Sequence, residues 1–385
     1  MLSVRQLNET NCRHWWWYYL CSAWALAKAG YSVTLYERNQ IMQATSAAST
    51  KLLHGGLRYL EQAQFRLVRE ALKERAWWLS HAPEITQPVE LILPVYENSQ
   101  RPRWLLKMGL WLYDQLAGCD NIAPHRWYSA SDLRRLAPTI KSQGLQGGFV
   151  FYDGQMDDYK LGLWVAEQAK TLGVKILEQQ PVKQICLDGT LEIATDKVQY
   201  DAIVNVTGPW AVAMLTNSNL PSHYQLNFHK SLTDTIPSRY SIREVILRGS
   251  HIMFNNVLER GYFLPVPGEQ RICFALPYQG KTLVGTTEVR QTLEQPIKCS
   301  EAEAKYLVKV YNTYFTDSKS VDEIDETFSG VRPLIHSATD AYKTTREYAL
   351  ETQGRIVTVY GGKWTTARAL GQKVANAVAN LINSN

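Results

Sequence analysis

The sequence lacks several features that would place it in other classes of protein. It has no run of about 18 apolar residues, which a membrane-spanning helix needs. Its six cysteines lack the paired spacing of a zinc site or a disulfide framework, which favours a reducing compartment, and no metal site is expected. We also expect no signal peptide. The net charge of +5 over 385 residues is too diffuse for a nucleic-acid-binding protein, and fits an anionic substrate or membrane surface.

A glycine-rich turn is missing where the local pattern calls for one. Residues 20–29 predict a helix with Gly30 as its C-cap, and residues 32–37 predict a strand that ends at Glu37. This is the second half of a dinucleotide-binding βαβ unit, in which the terminal acid holds the adenosine ribose. A first strand and a G-x-G-x-x-G turn should precede the helix, but residues 12–19 read CRHWWWYY. As written, three indoles occupy space that a glycine backbone must leave open for a pyrophosphate.

The codons that specify this aromatic run suggest a reason for the missing turn. The segment HWWWY (14–18) is encoded by CAY TGG TGG TGG TAY, where Y is either pyrimidine. Displaced by one nucleotide, the same bases encode three consecutive glycines. We therefore expect residues up to about 19 to be a frame-slipped version of the missing strand and turn. The alternative is a genuine aromatic segment, and resequencing the gene distinguishes the two.

The most informative segment that is present runs from Ala44 to Leu60. It combines small hydroxyl residues, the glycine pair Gly55-Gly56 and a polar triplet of Lys51, His54 and Arg58. Small residues and glycines allow backbone N–H groups to approach a large ligand closely. A Ser-rich loop followed by an ordinary helix is the alternative interpretation of this segment.

The rest of the chain predicts two kinds of region. A helix over 62–80, a strand over 89–96, a strand and turn over 147–158, a helix over 160–172 and several short strands lead to a strand, 203–206, that ends at Thr207-Gly208. Residues 216–324 predict a mainly antiparallel, β-rich region with a helix over 300–315. Strands over 328–335 and 344–350 precede the segment 355–370, in which a strand and two glycines lead into a helix N-terminus that suits an electron-rich ring.

Residues 101–118 combine tryptophans and basic residues at helical spacing. The apolar residues at this spacing are Trp104, Leu105, Met108, Trp111 and Leu112, and they are accompanied by Arg101, Arg103 and Lys107. Such a helix lies in a membrane interface or packs on its own domain, and the spacing alone does not distinguish the two.

Eight segments, in this order, resemble the signature segments of FAD-dependent glycerol-3-phosphate dehydrogenases: ATSAASTKLLHGGLRYLE, FRLVREAL, NVTGPW, LRGSHI, VGTTE, SGVRPL, TREYAL and YGGKWTTARAL. The similarity runs from about Leu20 to the last helix. It implies an α/β FAD-binding (glutathione-reductase-like) Rossmann fold with a β-rich substrate-binding domain. Residues 1–80, 145–215 and 325–385 would form the FAD-binding domain, and residues 81–144 and 216–324 the substrate-binding domain. Longer members of the family continue into a C-terminal helical domain, whereas this chain ends at Asn385.

The resemblance also implies roles for individual residues. Arg332 is expected to bind a substrate phosphate, for which a guanidinium fork is suited, unless it only ties a loop to a carboxylate. Further substrate contacts are expected from Arg58, Tyr59, Lys363 and Thr365. Lys363, His54, His251 and Arg58 are the expected catalytic residues, the histidines because they titrate near neutral pH, although a lone histidine is often structural. The expected FAD contacts are Glu37, Thr45, Ser46, Ser49, Lys51, Leu53, His54, Gly56, Thr207, Gly208, Gly361, Gly362, Lys363 and Thr365.

The function that the resemblance implies is oxidation of sn-glycerol 3-phosphate to dihydroxyacetone phosphate, with hydride passing to FAD and electrons to membrane quinone. The expected location is the cytoplasmic face of the inner membrane, peripherally attached, and a homodimer is an expected assembly. An amino-acid or amine oxidase of the same fold is the alternative enzyme, although the converging cations favour a phosphate. An inactive pseudoenzyme without cofactor is the alternative from a different class.

Overall fold

The computed structural model describes residues 2–5, 17–194, 196–218, 244–335 and 348–384. The α-helices in this part of the chain are α1 (Trp17–Lys28), α2 (Phe65–His81), α3 (Arg103–Ala117), α4 (Ala130–Leu136), α5 (Asp158–Lys170), α6 (Ala211–Thr216), α7 (Glu301–Tyr314) and α8 (Ala367–Asn383). The strands are β1 (Leu2–Arg5), β2 (Ser32–Tyr36), β3 (Leu52–Leu53), β4 (Thr86–Tyr96), β5 (Arg126–Ser129), β6 (Leu145–Met156), β7 (Lys175–Leu177), β8 (Val182–Ile185), β9 (Thr190–Ile193), β10 (Asp196–Gln199), β11 (Ala202–Asn205), β12 (Glu244–Phe254), β13 (Gly261–Pro265), β14 (Ile272–Tyr278), β15 (Lys281–Gly285), β16 (Val289–Arg290), β17 (Ile324–Ile335), β18 (Tyr348–Gln353) and β19 (Ile356–Gly361).

One sheet of six strands, in the order β18-β19-β11-β1-β2-β7, supports the first layer of helices. Strands β11 and β19 run parallel, as do β2 and β7. Helix α1 packs against α8 and α5, and the buried residues of these elements form one core with the sheet. Val33 and Leu35 in β2 and Ile203 in β11 are almost fully buried, as expected of strands covered by helices.

The expectation that no strand precedes α1 is wrong. Strand β1 occupies the centre of the six-stranded sheet, between β11 and β2, and pairs antiparallel to both, with Leu2 opposite Val204 on one side and Leu35 on the other. A four-residue strand satisfies its backbone hydrogen bonds in either direction, which allows this reversed orientation. The proposed glycine turn and frame slip fall mostly on residues 6–16, which lie outside the described residues.

The second large sheet has ten strands in the order β16-β12-β15-β14-β13-β4-β6-β3, with β17 also paired to β12 and β5 to β6. Its pairs are antiparallel except β13 with β4, in agreement with the predicted β-rich region. The predicted FAD-binding domain includes residues 145–215 and 325–385, whereas residue 324 ends the predicted substrate-binding domain. Strands β6 and β17 are hydrogen-bonded within the ten-stranded sheet, and the division into domains stays a prediction.

Five tryptophans form a continuous aromatic group where the helical layer meets the start of α8. They are Trp24, Trp77, Trp78, Trp164 and Trp364, and neighbouring ring centroids lie 5.0 to 6.4 Å apart. The Trp78 indole N–H donates to the carbonyl of Thr365 at 3.1 Å, and that of Trp364 donates to the carbonyl of Ser46 at 3.0 Å. The tryptophan group therefore holds the start of α8 against the Ala44–Leu60 segment.

Helix α3 carries apolar side chains on both its inner and its outer side. Leu110 and Tyr113 are buried, whereas Trp104 and Trp111 on the outer side are 66% and 55% exposed. The helix therefore packs on its own domain and presents an apolar outer face, and its location in a membrane interface stays a prediction. No helix in the described ranges is long and apolar enough to cross a membrane.

Candidate active site

A cavity of about 150 Å³ lies where the ten-stranded sheet meets the start of α8. The Ala44–Leu60 segment contributes His54 and Tyr59, strand β12 contributes His251, strand β17 contributes Arg332, and the residues before α8 contribute Lys363. These segments are far apart in the sequence. The structure thus brings five of the predicted site residues to one place.

The residues between β19 and α8 have a backbone that favours glycine. Gly361 and Gly362 have φ of 69° and 105°, a region that other residues adopt only with strain. The Lys363 ammonium lies 4.2 Å from the centroid of the Tyr59 ring, in cation–π contact. The Thr365 hydroxyl donates to the carbonyl of His54 at 3.2 Å. Both contacts tie the start of α8 to the segment that carries His54 and Tyr59.

His251 is held rigidly in the wall of the cavity. Its Nε2 is hydrogen-bonded to the Thr50 hydroxyl at 3.0 Å, and its ring stacks on Phe328 with centroids 4.7 Å apart. Its Nδ1 is buried and has no hydrogen-bond partner among the described residues. Burial, followed by the positive charges of Lys51 and Arg332, lowers the pKa of His251 to about 3. These surroundings favour the neutral ring of His251, in contrast to an exposed histidine, which titrates near neutral pH, and its catalytic role stays a prediction.

Arg332 is paired within the cavity wall. Its Nη2 donates to Glu288 Oε1 at 2.9 Å, and its side chain remains 28% exposed. Glu288 ends the VGTTE segment, which the sequence analysis recognised only as a family signature. Glu288 and the Thr50 hydroxyl are the site contacts that sequence reasoning missed, because both pairings join residues distant in the chain.

Lys51 does not line the cavity. Its ammonium forms a buried ion pair with Asp158 at 2.6 Å and also donates to the carbonyl of Ala47 at 2.8 Å. Asp158 accepts from the backbone N–H and hydroxyl of Ser49 at 3.0 and 2.6 Å. The pair fixes the turn beneath His251, so Lys51 acts on the site through the position of this turn and through its charge.

The other predicted residues lie at or away from the cavity. Thr45, Ser49, Gly362 and Thr365 line it, and Ser46, Leu53, Gly56 and Gly361 lie on the segments that form its walls. Arg58 is half-buried beside Tyr59 and does not line the cavity. Glu37, Thr207 and Gly208 lie away from it, at the ends of β2 and β11. Glu37 is 2% exposed and accepts from the backbone N–H of Asn39 at 2.9 Å. Their roles as cofactor contacts stay predictions.

The described residues fit an extended flavin nucleotide at two points. The glycine pair before α8 leaves its backbone open beside the cavity, which suits the isoalloxazine ring. At the other point, Tyr19 and Ser22 in the first turns of α1 carry buried hydroxyls, and that of Ser22 has no hydrogen-bond partner among the described residues. Burial, and after it the Glu37 carboxylate, raise the pKa of Tyr19, which places this hydroxyl near the predicted ribose acid. No cluster of metal ligands occurs in the described part of the chain.

Comparisons with known proteins identify the family of the chain. The model of the FAD dependent oxidoreductase family matches residues 20–377. The aerobic glycerol-3-phosphate dehydrogenase of Escherichia coli is 33% identical over 90% of this chain and 68% of its own length. The D-erythritol 1-phosphate dehydrogenase of Brucella abortus is also 33% identical over the same shares. The crystal structure of a Bacillus halodurans glycerol-3-phosphate dehydrogenase with FAD superposes with a TM-score of 0.71 at 21% identity, covering 95% of this chain and 63% of that one.

Proposed function

The chain belongs to the FAD dependent oxidoreductase family, and from this premise we propose that it oxidises sn-glycerol 3-phosphate to dihydroxyacetone phosphate. FAD is the cofactor of this family, and it supplies the acceptor for the hydride removed from the substrate carbinol carbon. The observation that carries the proposal is the convergence of two cations, Arg332 and Lys363, with Tyr59 and His54 on one cavity.

The side chains in the cavity divide the work of binding and proton transfer. The Arg332 guanidinium binds the phosphate dianion with a fork of N–H donors, and Glu288 holds that fork in place. The Lys363 ammonium donates to the reacting oxygen and stabilises its developing negative charge. His54 accepts the hydroxyl proton. His251, being neutral, orients the substrate by hydrogen bonding and acts as a base only when the substrate dianion offsets the neighbouring cations.

The same cavity bears on the alternative functions. An amino-acid oxidase needs one carboxylate clamp and a hydrophobic side-chain pocket, whereas two cations with histidines suit a phosphorylated polyol. The equal similarity to a D-erythritol 1-phosphate dehydrogenase makes a longer polyol phosphate the second candidate substrate.

A substrate panel tests the proposal. Protein reconstituted with FAD is mixed with a redox dye and with glycerol 3-phosphate, erythritol 1-phosphate, glycine or proline. We expect reduction with glycerol 3-phosphate at the highest kcat/KM. Turnover of glycine or proline, with no turnover of glycerol 3-phosphate, would refute the proposed substrate class. A folded, colourless protein that stays inactive with added FAD would support the pseudoenzyme.

We further propose that electrons pass to membrane quinone and that α3 places the protein on the inner-membrane surface. Its support is the outer face of Trp104, Met108 and Trp111, accompanied by the exposed bases Arg103 and Lys107. Replacing both tryptophans with serine should reduce co-sedimentation with vesicles of anionic phospholipid without changing dye-linked activity. Unchanged sedimentation would remove α3 from the interface. The homodimer stays a prediction.

A further inference from the structure

The segment that carries His54 and Tyr59 is fixed from behind by one buried carboxylate. A single oxygen of Asp153, Oδ1, accepts three hydrogen bonds: from the Gly55 N–H at 3.1 Å, from the Tyr113 hydroxyl at 2.7 Å and from Arg75 Nη1 at 2.9 Å. The Gly55 N–H also donates to the Tyr113 oxygen at 2.8 Å. We call Arg75, Tyr113 and Asp153 the anchor cluster.

The anchor cluster lies in the interior and does not line the cavity. Arg75 is 0%, Tyr113 2% and Asp153 3% exposed. Its members come from three elements, α2, α3 and β6, each packed in the core. Buried charges that satisfy one another through hydrogen bonds hold a defined geometry, because leaving any one of them unpaired is costly. The cluster therefore has one stable arrangement, and that arrangement includes the backbone of Gly55.

The backbone of the glycine pair packs closely against its neighbours and leaves no room for a side chain. A Cβ at Gly55 would lie 2.4 Å from both the Tyr113 hydroxyl and a methyl group of Leu72. Gly56 has φ of 80°, and a Cβ there would lie 2.2 Å from the Tyr59 ring. His54 and Tyr59 flank this pair, and both line the cavity. Any shift of Gly55 therefore moves the two side chains that face the substrate.

We propose that the anchor cluster is a positioning device for the substrate, which sets the affinity for the phosphorylated polyol without touching it. This inference rests on the proposed function of the same cavity. When the hydrogen bonds to Gly55 are weakened, the binding-competent position of the His54–Tyr59 segment becomes a minor conformer. The apparent affinity for the substrate then falls in proportion to the fraction of molecules that hold the binding-competent position. The bound complex, once formed, is unchanged. The effect appears in KM and leaves kcat intact.

Tyr113→Phe tests the inference, because it removes one hydroxyl and leaves the buried Arg75–Asp153 pair together. Tyr262→Phe is the matched control: this tyrosine is also fully buried and donates to a carboxylate, Glu259 Oε1, at 2.6 Å, but it lies in β13 with no contact to the segment. In the FAD-loaded enzyme we expect Tyr113→Phe to raise the KM for glycerol 3-phosphate about tenfold, with kcat within twofold. The control should leave both within twofold.

Hydrogen exchange provides a readout that needs no substrate. In Tyr113→Phe, the peptide covering residues 52–62 should exchange its amide hydrogens at least fivefold faster than in the wild-type protein, whereas Tyr262→Phe should leave it unchanged. Unchanged exchange in this peptide, or an equal rise in KM for both variants, would overturn the positioning role. Asp153→Asn, which weakens all three bonds, should give the same pattern with larger values. If the variants show the expected exchange pattern but the wild-type protein oxidises no polyol phosphate, only the proposed function is refuted.

Discussion

The role of Arg332 gives the sharpest test of the substrate assignment. Replacing Arg332 with alanine removes the guanidinium from the cavity wall. A charge-assisted contact to a phosphate is worth about 3 kcal/mol when desolvated, which is roughly a hundredfold in kcat/KM. The side chain is 28% exposed, so this figure is the upper end of the expected loss. Arg332→Lys keeps the charge but loses the fork, and should lose about tenfold.

The substitution also changes what remains behind. Without Arg332, Glu288 keeps the Arg271 guanidinium, 3.7 Å away, but loses the cation that lies between its carboxylate and the incoming dianion. The double variant Arg332→Ala with Glu288→Gln should therefore recover part of the loss. This recovery separates repulsion by Glu288 from the missing attraction by Arg332.

The assay compares two substrates, so that general damage cancels. Steady-state dye reduction is measured with glycerol 3-phosphate and with glycerol, which lacks the phosphate. The ratio of the two kcat/KM values should fall about a hundredfold in Arg332→Ala, because glycerol never uses the guanidinium. A ratio within threefold of the wild-type value would show that the phosphate binds elsewhere.

Three further predictions concern the rest of the chain. Asp158→Asn should lower the free energy of unfolding by about 3 kcal/mol in urea titrations, because it leaves the Lys51 ammonium buried without its counter-charge, and an unchanged midpoint would contradict this. Burial would raise the pKa of Glu303, but hydrogen bonds from four residues lower it to about 2; the donors are Arg248, Ser300, Thr287 and Ser250. The ionised carboxylate therefore contributes about 3 kcal/mol to the free energy of unfolding. This stability is present above the unfolded pKa near 4.5 and is lost as the pH falls toward 2. Glu303→Gln should remove this part of the acid sensitivity in thermal melts, and an unaltered pH profile would refute the assignment. Replacing residues 15–17 with glycine should raise the FAD content of the purified protein, and equal flavin absorbance before and after the change would argue against the frame-slip hypothesis.

The sequence predicted those elements whose signals are local. Helix α1, the turn at Gly30 and strand β2 followed from periodicity and cap chemistry over fewer than twenty residues, and Gly30 has φ of 87° as a C-cap glycine should. Helix α3 was also predicted as an amphipathic helix, although the sequence did not distinguish packing on its own domain from contact with a membrane. The resemblance predicted the FAD-binding fold, which the family comparison confirms. It also singled out Arg332 and Lys363, which share one cavity.

What the sequence did not predict depends on pairing between distant residues. The reversed direction of β1 and the placement of β6 and β17 in the ten-stranded sheet follow from strand partners far along the chain. Asp158 and Asp153 gave no local sign that they hold Lys51 and Gly55. The lowered pKa of His251 was not predicted either, because the buried and cationic surroundings that lower it exist only after folding.

The intrinsic fluorescence of the tryptophan group should report how much FAD the protein has bound. Trp364 lines the cavity, and Trp78 and its neighbours continue from it through ring contacts, so excitation absorbed anywhere in the group can pass toward the site. Flavins absorb in the spectral range where indoles emit. Emission from the chain should therefore dim as FAD occupies the cavity and brighten on its release, without any attached dye.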